Sequence, residues 1–317
     1  MDRHSISRPM LWGGRRYYSL DYYLKQTFHE KLYKLSLNGG MTCPNRDGTI
    51  GTGGCIFCSE GGSGDFAADN RLPMDEQILQ AKTAVSRKFS GTRYIAYFQA
   101  FTNTYAPAEY LEKLFMPVIQ REDIAVLSIA TRPDCLEPDK LHLLERLNRI
   151  KPVWIELGLQ TIHPATAALI RRGYALDCFD RAVHDLKQTG VKVIVHTILG
   201  LPHETHEQMR QTAAYVGESG ADGIKLQLLH ILEGTDLAAL YRSGTFDAMT
   251  EADYLTTVTD ILALLPPTIV IHRLTGDGDK QKLIAPRWSG DKRHVLNALN
   301  QQLKERNLYQ SIFYRKT

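Results

Sequence analysis

The reading turns on Cys43-Pro44-Asn45-Arg46-Asp47-Gly48-Thr49-Ile50-Gly51-Thr52-Gly53-Gly54-Cys55-Ile56-Phe57-Cys58, which holds three of the chain's five cysteines. The Cys55-x-x-Cys58 pair lets two thiolates face one metal centre. Cys43 can join them because glycines, free to take positive φ, let the loop wrap a compact object. Asp47-Gly48 and Gly53-Gly54 are turn signals, so this is a shaped loop rather than a helix. Three thiolates are one short of a closed zinc site. No cysteine or histidine follows until Cys135, far along the chain. A cubane iron–sulfur cluster held by three cysteines keeps one iron open to a non-protein ligand. A zinc loop with a distant fourth ligand is the plain alternative, and a disulfide is disfavoured in a chain without a secretory signal.

Working outward, the chain alternates strand-like and helix-like stretches. Strands are expected over 31–37, 93–100, 125–131, 153–160, 191–199 and 223–231, with a possible last one over 268–273. Helices are expected over 75–89, 107–120, 138–149, 164–172, 177–189, 205–218 and 250–265, and from 291 to about 306. Such alternation argues for parallel strands joined by right-handed crossovers, in an open doubly wound sheet or a partial barrel. Either way the loops after the strand C-termini carry the chemistry. Those ends are polar: Gln99, the run Thr131-Arg132-Pro133-Asp134, Glu156 and Gln160, His196, then Lys225 and Gln227 leading to His230. A Glu within an apolar strand is seldom buried without a partner, which makes Glu156 a functional candidate. The bland readings are a loop cap for Gln160, a solvated helix end for Arg171-Arg172 and a hydrogen-bonded interior residue for His196. Cys135 and Cys178 read as ordinary small residues. Gly61-Gly62-Ser63-Gly64 reads as a flexible link that lacks the Lys-Ser/Thr of a phosphate loop.

The long-gapped trio Cys43, Cys55 and Cys58, following a strand, resembles the signature of radical S-adenosylmethionine (SAM) enzymes, in the branch that contains the elongator catalytic subunit. The wider phrase Leu37-Asn38-Gly39-Gly40-Met41-Thr42-Cys43-Pro44-Asn45-Arg46-Asp47-Gly48-Thr49 resembles a bacterial subfamily of the YhcC/YtqA type over nearly the whole chain. The resemblance implies an α/β fold, a partial (β/α)6 TIM-like barrel of the radical SAM type with N- and C-terminal extensions. Its parts would be a basic and aromatic extension over 1–30, a core over 31–275 and a basic extension over 276–317. It implies that Cys43, Cys55 and Cys58 ligate a [4Fe–4S] cluster whose open iron takes the amine and carboxylate of SAM. An electron from a flavodoxin- or ferredoxin-like donor would cleave SAM to a 5′-deoxyadenosyl radical. Residues 156–160 match the Glu-Leu-Gly-x-Gln segment of the elongator-like branch, so Glu156 and Gln160 are carried over as SAM contacts. Arg172 stands where oxygen-independent coproporphyrinogen oxidases place an arginine on SAM, and His196 where they carry an Asp. Gln99 completes the expected cofactor set.

Composition bounds the rest. With 317 residues and a 43% hydrophobic share, the chain suits one large or two small globular domains. No run approaches a membrane span, and no apolar segment follows the basic N-terminus, so a cytoplasmic protein without membrane partners is expected. The net charge is only +3, yet residues 1–40 carry seven Lys/Arg against three Asp/Glu, and residues 280–317 nine against two. Basic ends around an acidic body suggest a polyanionic partner. Arg15, Arg16, Arg287, Lys292 and Arg293, set among tyrosines and Trp288, are candidate nucleic-acid contacts. The plain rival is a helix that covers the barrel's open edge. With the resemblance, these ends point to transfer RNA, at the C5 side chain of the wobble uridine. The alternatives are a radical SAM enzyme on a small molecule or peptide, and a non-catalytic, zinc-stabilised RNA-binding protein.

Overall fold

The structure, a computed structural model, describes residues 11–62, 67–89, 91–276 and 278–315. The expectations for residues 1–10 and for Ser63-Gly64 lie outside the described residues. Strands β1 (Tyr33–Leu37), β2 (Tyr94–Phe98), β3 (Ile124–Thr131), β4 (Val153–Gln160), β5 (Lys192–Leu199) and β6 (Gly223–Leu228) pair in chain order, all parallel. The short β7 (Ile231–Leu232) leaves the sheet, and β8 (Val270–Arg273) joins it beside β6; β9 (Leu283–Ala285) pairs antiparallel with β7. The result is one curled half-barrel of seven strands, so the possible last strand is a full member beyond the expected six. Its edges, β1 and β8, leave a seam.

The helices are α1 (Leu20–Phe28), α2 (Met74–Val85), α3 (Ala108–Gln120), α4 (Pro138–Ile150), α5 (Pro164–Leu169), α6 (Leu176–Gln188), α7 (His206–Glu218), α8 (Asp236–Arg242), α9 (Glu251–Leu264) and α10 (Lys292–Glu305). Local chemistry sets several of their starts. Pro138 and Pro164 open α4 and α5, where a missing N–H costs nothing. Thr205 and Gln208 form a reciprocal capping box on α7, and Thr250 caps α9. The helical stretch expected to reach 172 stops at Leu169, because Arg171 and Gly173 take positive φ of 56° and 84°.

Period-two alternation sorts the strand residues between two faces. One set, including Leu35, Phe98, Leu127, Ile155, Val193 and Leu226, packs outward against the helices in the main core. The other set faces inward in layers. The floor is apolar: Ile95, Val126, Trp154 and Ile194, closed from below by Leu24 of α1 and by Leu32. Above it lie Lys34, Tyr97, Ser128, Glu156, His196 and Lys225, a polar layer cross-linked through Glu156, with His196 and Lys225 in register.

The two extensions meet at the seam. Ser19 bridges to Ile271, whose N–H donates to the Tyr18 carbonyl, so the N-terminal segment covers the edge of β8. Gln310, fully buried, accepts from Tyr18 N at 2.8 Å and donates to the Pro266 and Ile269 carbonyls at 2.7 and 2.9 Å. One amide thus fastens both ends of the chain to the loop before β8. Replacing it strips the Tyr18 N–H and the Ile269 carbonyl of this partner, each worth about 1–3 kcal/mol, while the Pro266 carbonyl keeps the Ile269 N–H at 3.3 Å. Gln310→Ala is expected to destabilise the chain by about 3 kcal/mol in urea unfolding, and a loss below half of that would mean that water takes over the bonds.

Candidate active site

The loop after β1 is built to present its three cysteines. Asn45, buried, donates its Nδ2 to the Arg171 carbonyl at 2.7 Å and to Cys55 Sγ at 3.6 Å. Arg46 turns back over the loop, donating to the Ser59 carbonyl at 2.6 Å and lying 5.6 Å from the Phe101 ring centroid. Gly54 is required here: its φ is +71°, and a Cβ would stand 2.8 Å from Arg46 Nε. Ile56 N donates to the Ile170 carbonyl, which docks the loop on the end of α5. The outcome is Cys43, Cys55 and Cys58 on one wall of a cavity of about 160 Å³ at the C-terminal ends of the strands.

Every cofactor-site residue expected from the sequence lines that same cavity: Gln99, Glu156, Gln160, Arg172 and His196 share it with the cysteines. Their local settings differ. Gln160 has a φ of 66° at an irregularity in the β4–β5 register, and its side chain folds over Gly158, where a Cβ would meet Nε2 at 2.7 Å. Arg172 is buried and spends its guanidinium on main-chain oxygens, donating to Thr161 at 2.6 Å, to Leu159 at 3.2 Å and to Tyr174 at 3.0 and 3.1 Å. It therefore shapes the loop after β4. The expected nucleic-acid residues spread over both extensions. Arg16 donates to the Leu308 carbonyl at 3.1 Å, Arg287 sits in a short 3-10 turn, and Lys292 and Arg293 open α10. Arg15 and Lys292 line a separate cavity at the seam.

Glu156 is the electrostatic centre of the interior. It accepts from Lys34 Nζ at 2.5 Å, Ser128 Oγ at 2.9 Å and His196 Nε2 at 2.8 Å, and from Lys225. Burial alone would raise its pKa, but the charges of Lys225 and Lys34 and the bond from His196 hold it well below the usual carboxylate range. A carboxylate only accepts, so His196 Nε2 carries the ring's proton and Nδ1 is left to accept from Gln227 at 3.5 Å. Burial, followed by the nearby Lys225 charge, brings the His196 pKa down to about 4. Arg132, which sequence reading placed only at a polar strand end, clasps Asp134 with two bonds of 2.7 and 2.9 Å beside the cysteine wall. Lys34 and Tyr97 escape a sequence reading because both sit mid-strand. The alternation in Tyr33-Lys34-Leu35-Ser36-Leu37, which turns Lys34 to the inner face, was the available signal.

Among the described residues no three His, Cys, Asp or Glu side chains stand where they could hold a single metal ion, and the donor chemistry is that of an iron–sulfur cluster, whose cysteines each bind a different iron. All five cysteines are free, and the soft sulfurs that reach this cavity number three. The hydrogen bond from Cys58, with Arg132 and Arg46 nearby, brings the Cys55 thiol down to about 7 despite its burial. Cys135 is different: burial pushes its thiol up to about 12, and it does not line the cavity.

Comparison with known proteins agrees with this arrangement. The profile of the Radical SAM superfamily matches residues 45–216, and that of the Radical_SAM C-terminal domain matches residues 221–305. The chain is 43% identical over 302 residues to the protein YtqA of Bacillus subtilis, covering 95% of this chain and 94% of YtqA. It is 37% identical over 283 residues to the protein YhcC of Escherichia coli K12, covering 89% and 90%. Among solved structures, archaeal Methanocaldococcus infernus Elp3 with an N-terminal deletion superposes with a TM-score of 0.65 at 16% identity, over 88% of this chain and 64% of that one.

The neutral His196 has a measurable consequence. In the unfolded chain its imidazole takes a proton below about pH 6.5, whereas the folded one waits until about pH 4. The unfolded state therefore binds more protons in that window, and stability is complete above it and lost as the pH falls through it. Urea unfolding should show His196→Gln losing less stability than the parent between pH 6.5 and 4, by up to about 3 kcal/mol; equal losses would mean that the ring protonates freely in the fold.

Proposed function

The chain belongs to the radical SAM superfamily, whose members use a [4Fe–4S] cluster and SAM, and on that premise we propose that it remodels the C5 side chain of the wobble uridine in transfer RNA. We read residues 31–275 as the catalytic core, with Cys43, Cys55 and Cys58 as the cluster's protein ligands. The observation that carries this reading is the convergence of the three thiols and five polar residues, four from the strands and their ends and Arg172 from the turn after α5, on one cavity of a parallel half-barrel. When bound, cluster and SAM together supply a 5′-deoxyadenosyl radical from one electron, which a flavodoxin- or ferredoxin-like protein would deliver.

The chain's own residues do the positioning. Asn45 and Arg46 hold the cysteine loop in shape before anything binds, so little ordering remains to be done. Gln99 and Gln160 offer carboxamides to a ribose diol or an amine. Glu156 sits deeper, and its carboxylate acts by fixing Lys34, Lys225 and His196 around the floor of the cavity. Arg172 positions Gln160 by holding the carbonyls of Leu159 and Thr161 on either side of it. The apolar floor and the buried polar layer keep bulk water from the reacting end.

The transfer RNA part rests on the elongator-like segment at 156–160, the YhcC/YtqA-type relatives and the basic extensions. A non-catalytic zinc loop gives way to the family assignment. None of the described helices is long and apolar enough to cross a membrane.

Two experiments test the reading. Anaerobically reconstituted protein given dithionite and SAM should release 5′-deoxyadenosine, with Cys55→Ala at least about 100-fold slower and short of iron; a loaded parent that yields no 5′-deoxyadenosine overturns it. Nucleosides from cells lacking the gene should accumulate an unfinished C5 side chain at the wobble uridine, and a wild-type nucleoside profile would exclude this substrate.

A further inference from the structure

The seam between β1 and β8 holds a second, larger cavity of about 350 Å³, within the range of pockets that take organic ligands. It lies beneath the N-terminal segment, α1 and the start of α10, and its charged lining is almost all cationic. Arg15, Lys31 and Lys292 surround it from the extensions and the approach to β1, and Lys34, Lys225 and Arg273 line it from the strands. Asp21 is the one carboxylate among its described lining residues, and it accepts from Lys25 at 2.8 Å, on the same helix.

Two features separate this from an ordinary solvated basic face. Lys225 is 2% exposed and Lys34 half-buried, and both amines share the single carboxylate of Glu156, with His196 neutral beside them. Burial pushes the Lys225 amine well below its usual range, so Lys34 and Glu156 offset each other, and the charge left to meet an anion comes from the rim, Arg15 and Lys31. Arg15 and Lys31 meet aromatic rather than acidic partners: Arg15 donates to Tyr17 Oη at 2.8 Å, and Lys31 Nζ lies 5.7 Å from the Tyr33 ring centroid. The seam cavity also adjoins the cysteine-walled one. Lys225 and Arg273 line both.

We propose that the seam cavity is an oxyanion subsite beside the cysteine-walled cavity, in which Lys34, Arg15 and Lys31 hold a carboxylate or phosphate of the substrate and the Lys225 amine lies at its inner end. Only the word substrate rests on the enzyme reading above; anion capture by the seam stands apart from it. A carboxylate could come from the side chain under modification, and a phosphate from a nucleotide backbone. The shared chemistry is a compact anion taken from water by a guanidinium and ammonium groups around one cavity.

Equilibrium dialysis of the cluster-reconstituted protein against radiolabelled acetate, and separately against radiolabelled inorganic phosphate, tests this. At least one probe should bind saturably. Lys34→Met should weaken it about tenfold and Arg15→Gln a few-fold, while Arg181→Gln on the outer face of α6 leaves it unchanged. Preference for acetate assigns a carboxylate, and preference for phosphate a phosphodiester; either supports the subsite. If circular dichroism shows that Lys34→Met does not fold, Arg15→Gln and Lys31→Gln carry the test. No saturable binding of either probe, or equal binding in the seam variants and Arg181→Gln, overturns it. A wild-type nucleoside profile in deletion cells would remove the transfer RNA reading and leave this result untouched.

Discussion

A single carboxylate placed where water cannot reach sets the interior of this barrel. Glu156 has no exposed side-chain surface and four partners, drawn from β1, β3, β5 and β6. A buried ion of this kind is unfavourable until each lone pair is met, and breaking one such pairing leaves a charge stranded. The cluster therefore specifies which strands face one another across the half-barrel more than it adds net stability. It also fixes the depth of the active cavity, because the layer above the apolar floor is filled and only the strand ends are left open.

On that platform the cysteine loop is a separate construction. It reaches its shape through Asn45 and the Ile56–Ile170 bond, which tie it to the end of α5 and the turn beyond, and through Arg46, which turns back onto the Ser59 carbonyl and the Phe101 ring. Strain gathers at the same place. Phe101, Gln160 and Arg171 all hold positive φ without being glycine, and Phe101 and Gln160 line the cavity. Each such backbone costs on the order of 1 kcal/mol or more and persists only where the surroundings over-determine it. The mutual bracing of the two loops is what over-determines it here.

Much of this was legible in the sequence, for reasons that differ by element. Strand β4 begins and ends as expected, 153 to 160, because Pro152 and the polar run after it punctuate an apolar stretch. Helix α2 stops at Val85, where the Ser86 N–H turns to the Thr83 carbonyl, and the expectation ran on to 89 because nothing in the run Ser86-Arg87-Lys88-Phe89 marks an end. The short α8 and the β7–β9 pair have too few residues for any period to emerge. At the site, cysteine spacing and polar strand ends located the cavity. What stayed hidden was the company each residue keeps. Lys34 and Glu156 are 122 positions apart and meet only once the sheet curls, and the carbonyl partners of Arg172 depend on a backbone turn that no side chain announces. Gln310, a polar residue near the end of the chain, carries no mark of burial in the sequence at all.

The seven strands of the sheet line up in the order of synthesis, each pairing with the one before it, so the half-barrel can be built by local addition as the chain emerges. The lid over its open side obeys a different clock. Arg16 bonds to Leu308 across 292 positions, and the Gln310 amide clasps Tyr18 across the same distance. Neither link can exist until the last helix has left the ribosome. The nascent half-barrel therefore completes its interior layer, with Lys225 on β6, before the bonds that fasten the two extensions across the seam can form.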